Sequence, residues 1–132
     1  VIAGFGIAAE LAMQEMASET ARLIQLRDAL FDLLADVPEL VPTGARWQRL
    51  PHHVSFCVHQ ADGDLVNGKA LVRQMNLAGI GISSGSACSS GKLTPSPILK
   101  AMGYSDRAAK SGIRLTLGRE TSLADIEWTA LV

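Results

Sequence analysis

The sequence lacks strong net charge and any long apolar run, and each absence argues against a class of partner. The formal net charge is -1 at pH 7, so electrostatics give no reason to expect direct binding of nucleic acid or attraction to an anionic membrane. The apolar stretches fall well short of the ~20 residues that span a bilayer. We therefore expect neither a nucleic-acid partner nor a membrane partner.

Cysteine is also scarce, and the start of the chain does not look like a secretion signal. Only two cysteines occur among 132 residues, and a domain of this size does not need a disulfide to fold. No basic segment precedes an apolar one at the start of the chain, as a secretory signal requires. These features predict reduced thiols and a cytoplasmic location.

The rest of the composition is that of a folded domain. Hydrophobic residues make up 48% of the chain and charged residues 19%, which is too apolar for disorder and typical of a globular protein. The length is sufficient for one domain with a real core. We assign residues 1–132 to a single domain.

The chain opens on an apolar pattern with helical spacing. Leucines recur every three or four residues from Leu23 to Leu34, and the pattern predicts a long helix over residues 1–37, ended by Pro38. No capping residue precedes "VIAGFGIAAELA". We expect that the start of this helix has been removed, so that the chain is a processed product or a piece of a longer protein.

Beyond the first helix, three segments read as strands. "VSFCVH" (54–59) and "GIRLTLG" (112–118) alternate apolar and polar side chains, which is typical of half-buried strands. In the second segment the alternation points Arg114 away from the core. "IGIS" (80–83) is predicted to be a short strand.

Further helices are expected between and after these strands. One covers residues 64–79, with Asp64 as its N-cap and Gly79 just past its end, and a second covers residues 96–103. A last helix begins at the capping box formed by Ser122 and Asp125. This alternation predicts an α/β fold (an α+β sandwich), with a small sheet and helices packed on it.

A segment of small residues, "SSGSACSSG" (Ser83 to Gly91), has no hydrophobic period and is expected to be a loop. It resembles a phosphate-binding loop only superficially, since Ser86 stands where glycine is needed and Leu93 follows Lys92 in place of a hydroxyl residue. "GISSG" matches the elbow of serine hydrolases, but every histidine precedes Ser83, against the order of that triad.

A metal site is not expected from the other chemistry-bearing residues. Cys57 and His59 share one strand face, and His52 and His53 lie nearby, but no spacing completes four ligands. Cys57 is interpreted as a small, semi-buried residue and the histidines as polar surface or interface groups.

The loop is therefore left with Cys88 as a candidate nucleophile. An exposed thiol carries a risk of oxidation, so its place in a pliant loop needs a reason. Glycine and serine neighbours suit a thiol that collects a group at one site and delivers it at another. The alternative from the residues alone is an incidental cysteine in a linker.

Three segments carry a family resemblance: "LAGIGISSGSACSSG", "SPILKAMG" and "SGIRLTLGRETSLADI". They resemble the C-terminal small domain of cysteine desulfurases of the iron–sulfur-cluster and nitrogen-fixation type, which belong to the pyridoxal-phosphate (PLP) fold-type I, class V aminotransferase superfamily. The resemblance implies that Cys88 is the catalytic residue, which receives sulfur from L-cysteine as a persulfide while alanine leaves. It also implies that Arg114 binds the substrate carboxylate.

The same resemblance sets the expected cofactor and partners. PLP serves the full-length enzyme, which is a homodimer and passes sulfur to an acceptor scaffold or carrier protein. The family's cofactor lysine follows a Ser-x-His sequence, and Lys69, Lys92, Lys100 and Lys110 lack that context. The cofactor-binding large domain is therefore expected to be absent, and the chain alone to bind no PLP and to be inactive. The alternative is a stand-alone sulfur carrier that accepts persulfide on Cys88.

Overall fold

The computed structural model describes residues 1–60, 66–84 and 94–132. In chain order the elements within these ranges are α1 (Ile2–Leu33), β1 (Leu40–Pro42), β2 (His53–Val58), α2 (Gly68–Leu77), β3 (Ser83–Ser84), α3 (Pro97–Ala101), α4 (Asp106–Lys110), β4 (Gly112–Thr116) and α5 (Leu123–Leu131). No helix in the described ranges combines the length and the apolar character needed to cross a membrane.

The strands form a four-stranded sheet in the order β1-β2-β4-β3, with antiparallel neighbours throughout. β4 lies between β2 and β3, and Arg114 is the register partner of Ser55 on one side and of Ser83 on the other. The predicted fold class, a small sheet with helices packed on it, is confirmed. The short third strand covers Ser83 and Ser84. It shares only Ser83 with the strand predicted over residues 80–83.

The hydrophobic core lies between one face of the sheet and the helices α1 and α5. Leu30 of α1 and Ile126 of α5 are almost completely buried, as are Val54 and Phe56 of β2. The rings of Phe31 and Phe56 pack with their centroids 5.4 Å apart. Each such side chain contributes about 1.5–3 kcal/mol by leaving water, so this face holds the sheet and helices together.

The first helix ends earlier than its sequence pattern predicts. α1 stops at Leu33, with Leu34 as its C-cap, and not at Val37. The ring of Pro38 would clash with the carbonyl of Leu34 in a continuing helix, and it also disfavours the helical conformation at Val37. The turn at residues 34–36 follows from that restriction.

The second helix starts later than predicted. Its N-cap is Asn67, whose side chain accepts a hydrogen bond from the Lys69 amide, whereas Asp64 lies outside the described residues. Gly68 is the first residue of the helix. A side chain does not fit there, because a Cβ would approach the Ser84 side chain and the Gly112 carbonyl to 3.0 and 3.2 Å. Glycine therefore allows α2 to pack closely against β3 and β4.

The later helices have local caps that the sequence largely predicts. Ser96 caps α3, and Ser122 with Asp125 forms the capping box of α5, as expected. The sequence analysis missed α4, where the Ser105 hydroxyl accepts a hydrogen bond from the Ala108 amide. Ser105 followed by Asp106 is an N-cap signal that could have revealed it.

Arg22 ties α1 to the loop between β4 and α5. Its guanidinium donates hydrogen bonds to the backbone carbonyls of Gly118, Arg119 and Thr121 and pairs with Glu19 on its own helix. This contact fixes the chain just beyond β4, so it helps to set the position of the strand that carries Arg114.

Candidate functional site

A pocket of about 250 Å³ opens on the sheet face opposite α1 and α5. Its polar wall is formed by the segment before β2 and by the two central strands, and α3 supplies an apolar wall through Ile98, Leu99 and Met102. The polar wall includes Thr43, Arg49, His53, Ser55 and Arg114. Among the described lining residues none is acidic, so the pocket has a positive character suited to an anion.

Arg114, the predicted substrate-binding residue, belongs to this wall and lies on β4. It is exposed while its neighbours Ile113 and Leu115 are buried on the core face. Other arginines have acidic partners, such as Glu15 for Arg119. Arg114 has no such partner within the described ranges, so its guanidinium is available for a ligand carboxylate.

Cys88, the predicted catalytic residue, lies outside the described residues, within the gap 85–93. The described chain before the gap pairs with a lining residue of the pocket, and the described chain after the gap lines the pocket itself. On one side, Ser83 pairs with Arg114 across β3 and β4. On the other side, Ser96 lines the pocket itself.

Arg49 fixes the wall of the pocket, a role that the sequence analysis did not assign. Its guanidinium donates to the carbonyls of Thr43, Ala45 and His53, and it lies 4.8 Å from the centroid of the Phe31 ring. Burial lowers the pKa of this guanidinium, and the nearby charge of Arg27 lowers it further. Arg49 therefore joins the core to the chain segment that folds over β2.

His53 lies in the pocket, although the sequence analysis interpreted it as a surface or interface group. Its pKa is lowered first by burial and then by the positive charges of Arg49 and Arg114. The imidazole is consequently neutral near neutral pH. A neutral imidazole has one donor and one acceptor nitrogen, so His53 adds hydrogen-bonding capacity without adding positive charge.

Two hydroxyl groups form the floor of the pocket beside Arg114. The side-chain oxygens of Thr43 and Ser55 lie 2.5 Å apart, and the two residues are only 4% and 8% exposed. The Thr43 amide also donates to the Ser55 carbonyl. The sequence alternation placed Ser55 on this face but gave no sign of its partner.

Cys57 is more deeply buried than the predicted semi-buried residue. It is 1% exposed, and its Sγ donates to the Ala108 carbonyl at 3.4 Å. Burial raises the pKa of the thiol, which makes it a poor nucleophile. Since α4 covers this part of β2, the strand is buried on both faces there and not half-buried.

The histidines and Cys57 do not assemble a metal site. Across the described ranges, no three side chains of histidine, cysteine, aspartate or glutamate cluster in a way that could hold a metal ion.

The chain matches a known protein family over nearly its whole length. The family model described as aminotransferase class-V matches residues 1–128. The chain belongs to this family. The family-level part of the sequence resemblance is therefore confirmed.

Curated relatives of the chain are cysteine desulfurases. The chain is 39% identical over 127 residues to cysteine desulfurase IscS of Methylococcus capsulatus and 40% identical over 128 residues to cysteine desulfurase IscS of Haemophilus influenzae. The matches cover 96% and 97% of this chain but 30% of each relative. The chain thus spans less than a third of the length of these relatives.

Solved structures share the fold. A NifS-like protein from Rickettsia africae matches with a TM-score of 0.81 at 25% identity, covering 98% of this chain and 32% of that protein. A GDP-4-keto-6-deoxymannose-3-dehydratase with a trapped PLP-glutamate geminal diamine matches with a TM-score of 0.58 at 18% identity, covering 85% of this chain and 30% of that protein. The second likeness supports the fold alone.

The described lysines do not fit a PLP site in this pocket. A PLP enzyme of this kind holds its cofactor through a lysine Schiff base. Lys69 and Lys110 are exposed and do not line the pocket, and Lys100 pairs with Asp106 at 2.8 Å. These lysines therefore offer no amine in the pocket to hold the cofactor.

Proposed function

We propose that this chain is the C-terminal small domain of a PLP-dependent L-cysteine desulfurase. In this proposal L-cysteine is converted to L-alanine, the carbon–sulfur bond of the substrate breaks, and its sulfur atom ends on Cys88 as a persulfide. The names of the relatives support this activity, and the pocket around Arg114 supports a carboxylate-bearing substrate. The observation that carries the proposal is the position of Arg114, unpaired within the described ranges and next to the strand that leads to Cys88.

Arg114 binds the substrate carboxylate in this proposal. A guanidinium offers two parallel N–H donors that match the two oxygens of a carboxylate. The pocket walls add no acidic side chain among the described residues to compete for the guanidinium. The apolar wall contributed by α3 limits water around the bound group, which strengthens the charge-assisted contact.

Cys88 receives the sulfur and passes it on. It follows Ser84 by four residues in the sequence, and Ser83 and Ser84 form the strand beside Arg114. A thiol attached next to the carboxylate site can meet the substrate sulfur there and an acceptor protein elsewhere. We further propose a cytoplasmic homodimer that supplies sulfur for iron–sulfur-cluster assembly through a scaffold or carrier protein.

PLP supplies the electron sink for carbon–sulfur cleavage in such enzymes. Because the described lysines do not fit its site, the proposal places the cofactor on residues other than these. The contribution of this chain is to bind the substrate carboxylate and to carry the sulfur.

The test uses the complete gene product that carries this chain, supplied with PLP and L-cysteine. Alanine release is measured by chromatography, and the persulfide is located by mass spectrometry of the peptide that contains Cys88. We expect turnover, and we expect the Cys88 peptide to gain about 32 Da, the mass of the one sulfur atom that a persulfide adds. Cys88→Ser should abolish the persulfide and sulfur transfer.

The matched control is Cys57→Ser, which changes the buried cysteine and should leave alanine release and the Cys88 persulfide intact. Persulfide formation on Cys57 and not on Cys88 would contradict the proposal. Equal alanine release by the wild-type protein and Cys88→Ser in the presence of a sulfur acceptor would contradict it as well. Persulfide on Cys88 from a donor protein, without alanine release from L-cysteine, would favour the stand-alone carrier.

A further inference from the structure

The hydroxyls of Thr43 and Ser55, next to Arg114, have two hydrogens between them, and the hydrogen bond that joins the two uses only one. The Thr43 and Ser55 hydroxyls are 2.5 Å apart, so one of them donates to the other. The donor's hydrogen is then used, while the hydroxyl that accepts still has its own hydrogen to donate. Within the described part of the chain no other acceptor contacts either hydroxyl.

The register of the sheet shows which of the two hydroxyls lies nearer to Arg114. Ser55 lies directly opposite Arg114, and side chains opposite each other on antiparallel strands have Cβ atoms about 4.5–5.5 Å apart. Both residues line the pocket, as does Thr43. Thr43 follows β1, on the opposite side of β2 from β4, so Ser55 lies between Thr43 and Arg114. Either hydroxyl can donate in the contact between them. When Thr43 donates, the hydrogen of Ser55 is left for a ligand at the guanidinium.

The backbone holds Thr43 in the position that this arrangement needs. Its amide donates to the Ser55 carbonyl at 3.0 Å, and its carbonyl accepts from Arg49. Arg49 is in turn packed on the Phe31 ring of the core. The hydroxyl pair is thus attached to the rigid part of the molecule, and a buried donor hydrogen without an acceptor is unfavourable.

We propose that Ser55 is a second contact for the carboxylate bound at Arg114, with its hydroxyl donating to one carboxylate oxygen and Thr43 acting as the residue that orients it. The inference rests on the proposed function, because it takes Arg114 as the carboxylate site. A third donor, from a group other than the guanidinium, adds a further contact that holds the bound carboxylate in one place. A chain of two hydroxyls also polarises the terminal donor and strengthens its bond to an anion.

The experiment measures binding of L-alanine, an unreactive amino acid carboxylate, to this 132-residue chain by NMR titration of backbone amides. Variants are Ser55→Ala, Thr43→Val and Thr43→Ser, each first shown to keep a native amide spectrum. We expect Ser55→Ala to weaken binding about tenfold, the loss of one hydrogen bond to a charged group. Thr43→Val should weaken binding about threefold. Thr43→Ser keeps the hydroxyl and should bind L-alanine as the wild-type chain does.

L-Alaninamide, which has no carboxylate, is the ligand control. It should bind weakly and should not distinguish Ser55→Ala from the wild-type chain, because the bond in question ends on a carboxylate oxygen. A merely structural role for Ser55 or Thr43 would change both ligands alike, and that result overturns the inference. So does L-alanine binding by Ser55→Ala within about twofold of wild type, or a wild-type chain that shows no saturable binding.

The two proposals can fail separately. Loss of L-alanine binding in Arg114→Ala, with Ser55→Ala unaffected, removes Ser55 from the site and leaves the desulfurase proposal standing. Weakened L-alanine binding in Ser55→Ala, with no alanine released from L-cysteine by the complete gene product, keeps the carboxylate site and removes the desulfurase activity.

Discussion

The two faces of strands β2 and β4 have opposite roles although they share the same backbone. One face carries Val54, Phe56 and Leu115, which are buried against α1 and α5. The other face carries Ser55 and Arg114, which line the pocket. Because side chains alternate along a strand, one residue step separates the groups that hold the fold together from the groups that line the pocket. Substitutions on the two faces should therefore differ in what they change.

The largest expected effect is on the core face. Phe56→Ala should lower the free energy of unfolding by about 3–5 kcal/mol, because it removes a side chain that is 1% exposed and packed on Phe31. Urea unfolding followed by circular dichroism measures the change. Phe56→Leu is the control, since it keeps most of the apolar volume and should cost less. A loss below about 1 kcal/mol for Phe56→Ala would contradict the division of the faces.

Arg114→Ala should show the reverse behaviour. Its side chain is exposed and has no acidic partner in the described ranges, so unfolding should change by less than about 0.5 kcal/mol. Binding of L-alanine should weaken by about 1.5–3 kcal/mol, the value of a charge-assisted contact. Arg114→Lys keeps the charge but loses the two parallel N–H donors, so its affinity for L-alanine should lie between those of the wild-type chain and Arg114→Ala. A large loss of stability with unchanged binding would assign Arg114 to the fold.

Cys57 sharpens the comparison because it lies on the pocket face yet behaves as a core residue. Cys57→Ala should cost about 1 kcal/mol of unfolding free energy, typical of a point substitution. In a Cys88→Ser background the remaining thiol should react slowly with a thiol reagent in the native chain and quickly in urea, since burial raises its pKa. Fast native labelling would show that α4 does not protect this end of the strand.

The smallest expected effect is a pH dependence at His53. Burial and the charges of Arg49 and Arg114 lower its pKa in the folded chain, whereas in the unfolded chain the pKa of a histidine is about 6.5. Above that pH both states are neutral. Below it the unfolded chain takes up a proton before the folded chain does, so stability should fall as the pH drops, and should level off below the folded-state pKa.

Unfolding measurements between about pH 7.5 and pH 5 check this dependence. His53→Gln, which cannot titrate, should lack the part of the slope that His53 contributes, whereas His59→Gln is the matched control at an intermediate position outside the pocket. An unchanged slope in His53→Gln would mean that the imidazole stays hydrated and that the pocket does not repel its proton.

Local patterns in the sequence predicted the parts of the fold that local physics determines. The alternation around Arg114 gave the strand and its outward face, and the caps at Ser96 and Ser122 have short-range hydrogen bonds that depend on neighbouring residues alone. α4 was missed because five residues are too few for a hydrophobic period to emerge.

The pocket itself could not be read from the sequence, because its wall comes from distant contacts. Arg49 and Thr43 gain their roles only when the segment before β2 folds back over the strand. His53 was interpreted as a surface or interface group and Cys57 as semi-buried, since alternation identifies the core face but does not say what covers the other one. The role of Cys88 stays a prediction, because it lies outside the described residues.

The central place of β4 has a consequence for how this protein can evolve. The backbone beneath Arg114 is bonded along both edges, so its amide hydrogen should exchange with solvent more slowly than those of the short outer strands. Insertions and deletions in the surrounding turns can remodel the pocket lining while leaving the backbone at Arg114 in place. The lining of the pocket can therefore change in such a lineage while the backbone that carries Arg114 keeps its place.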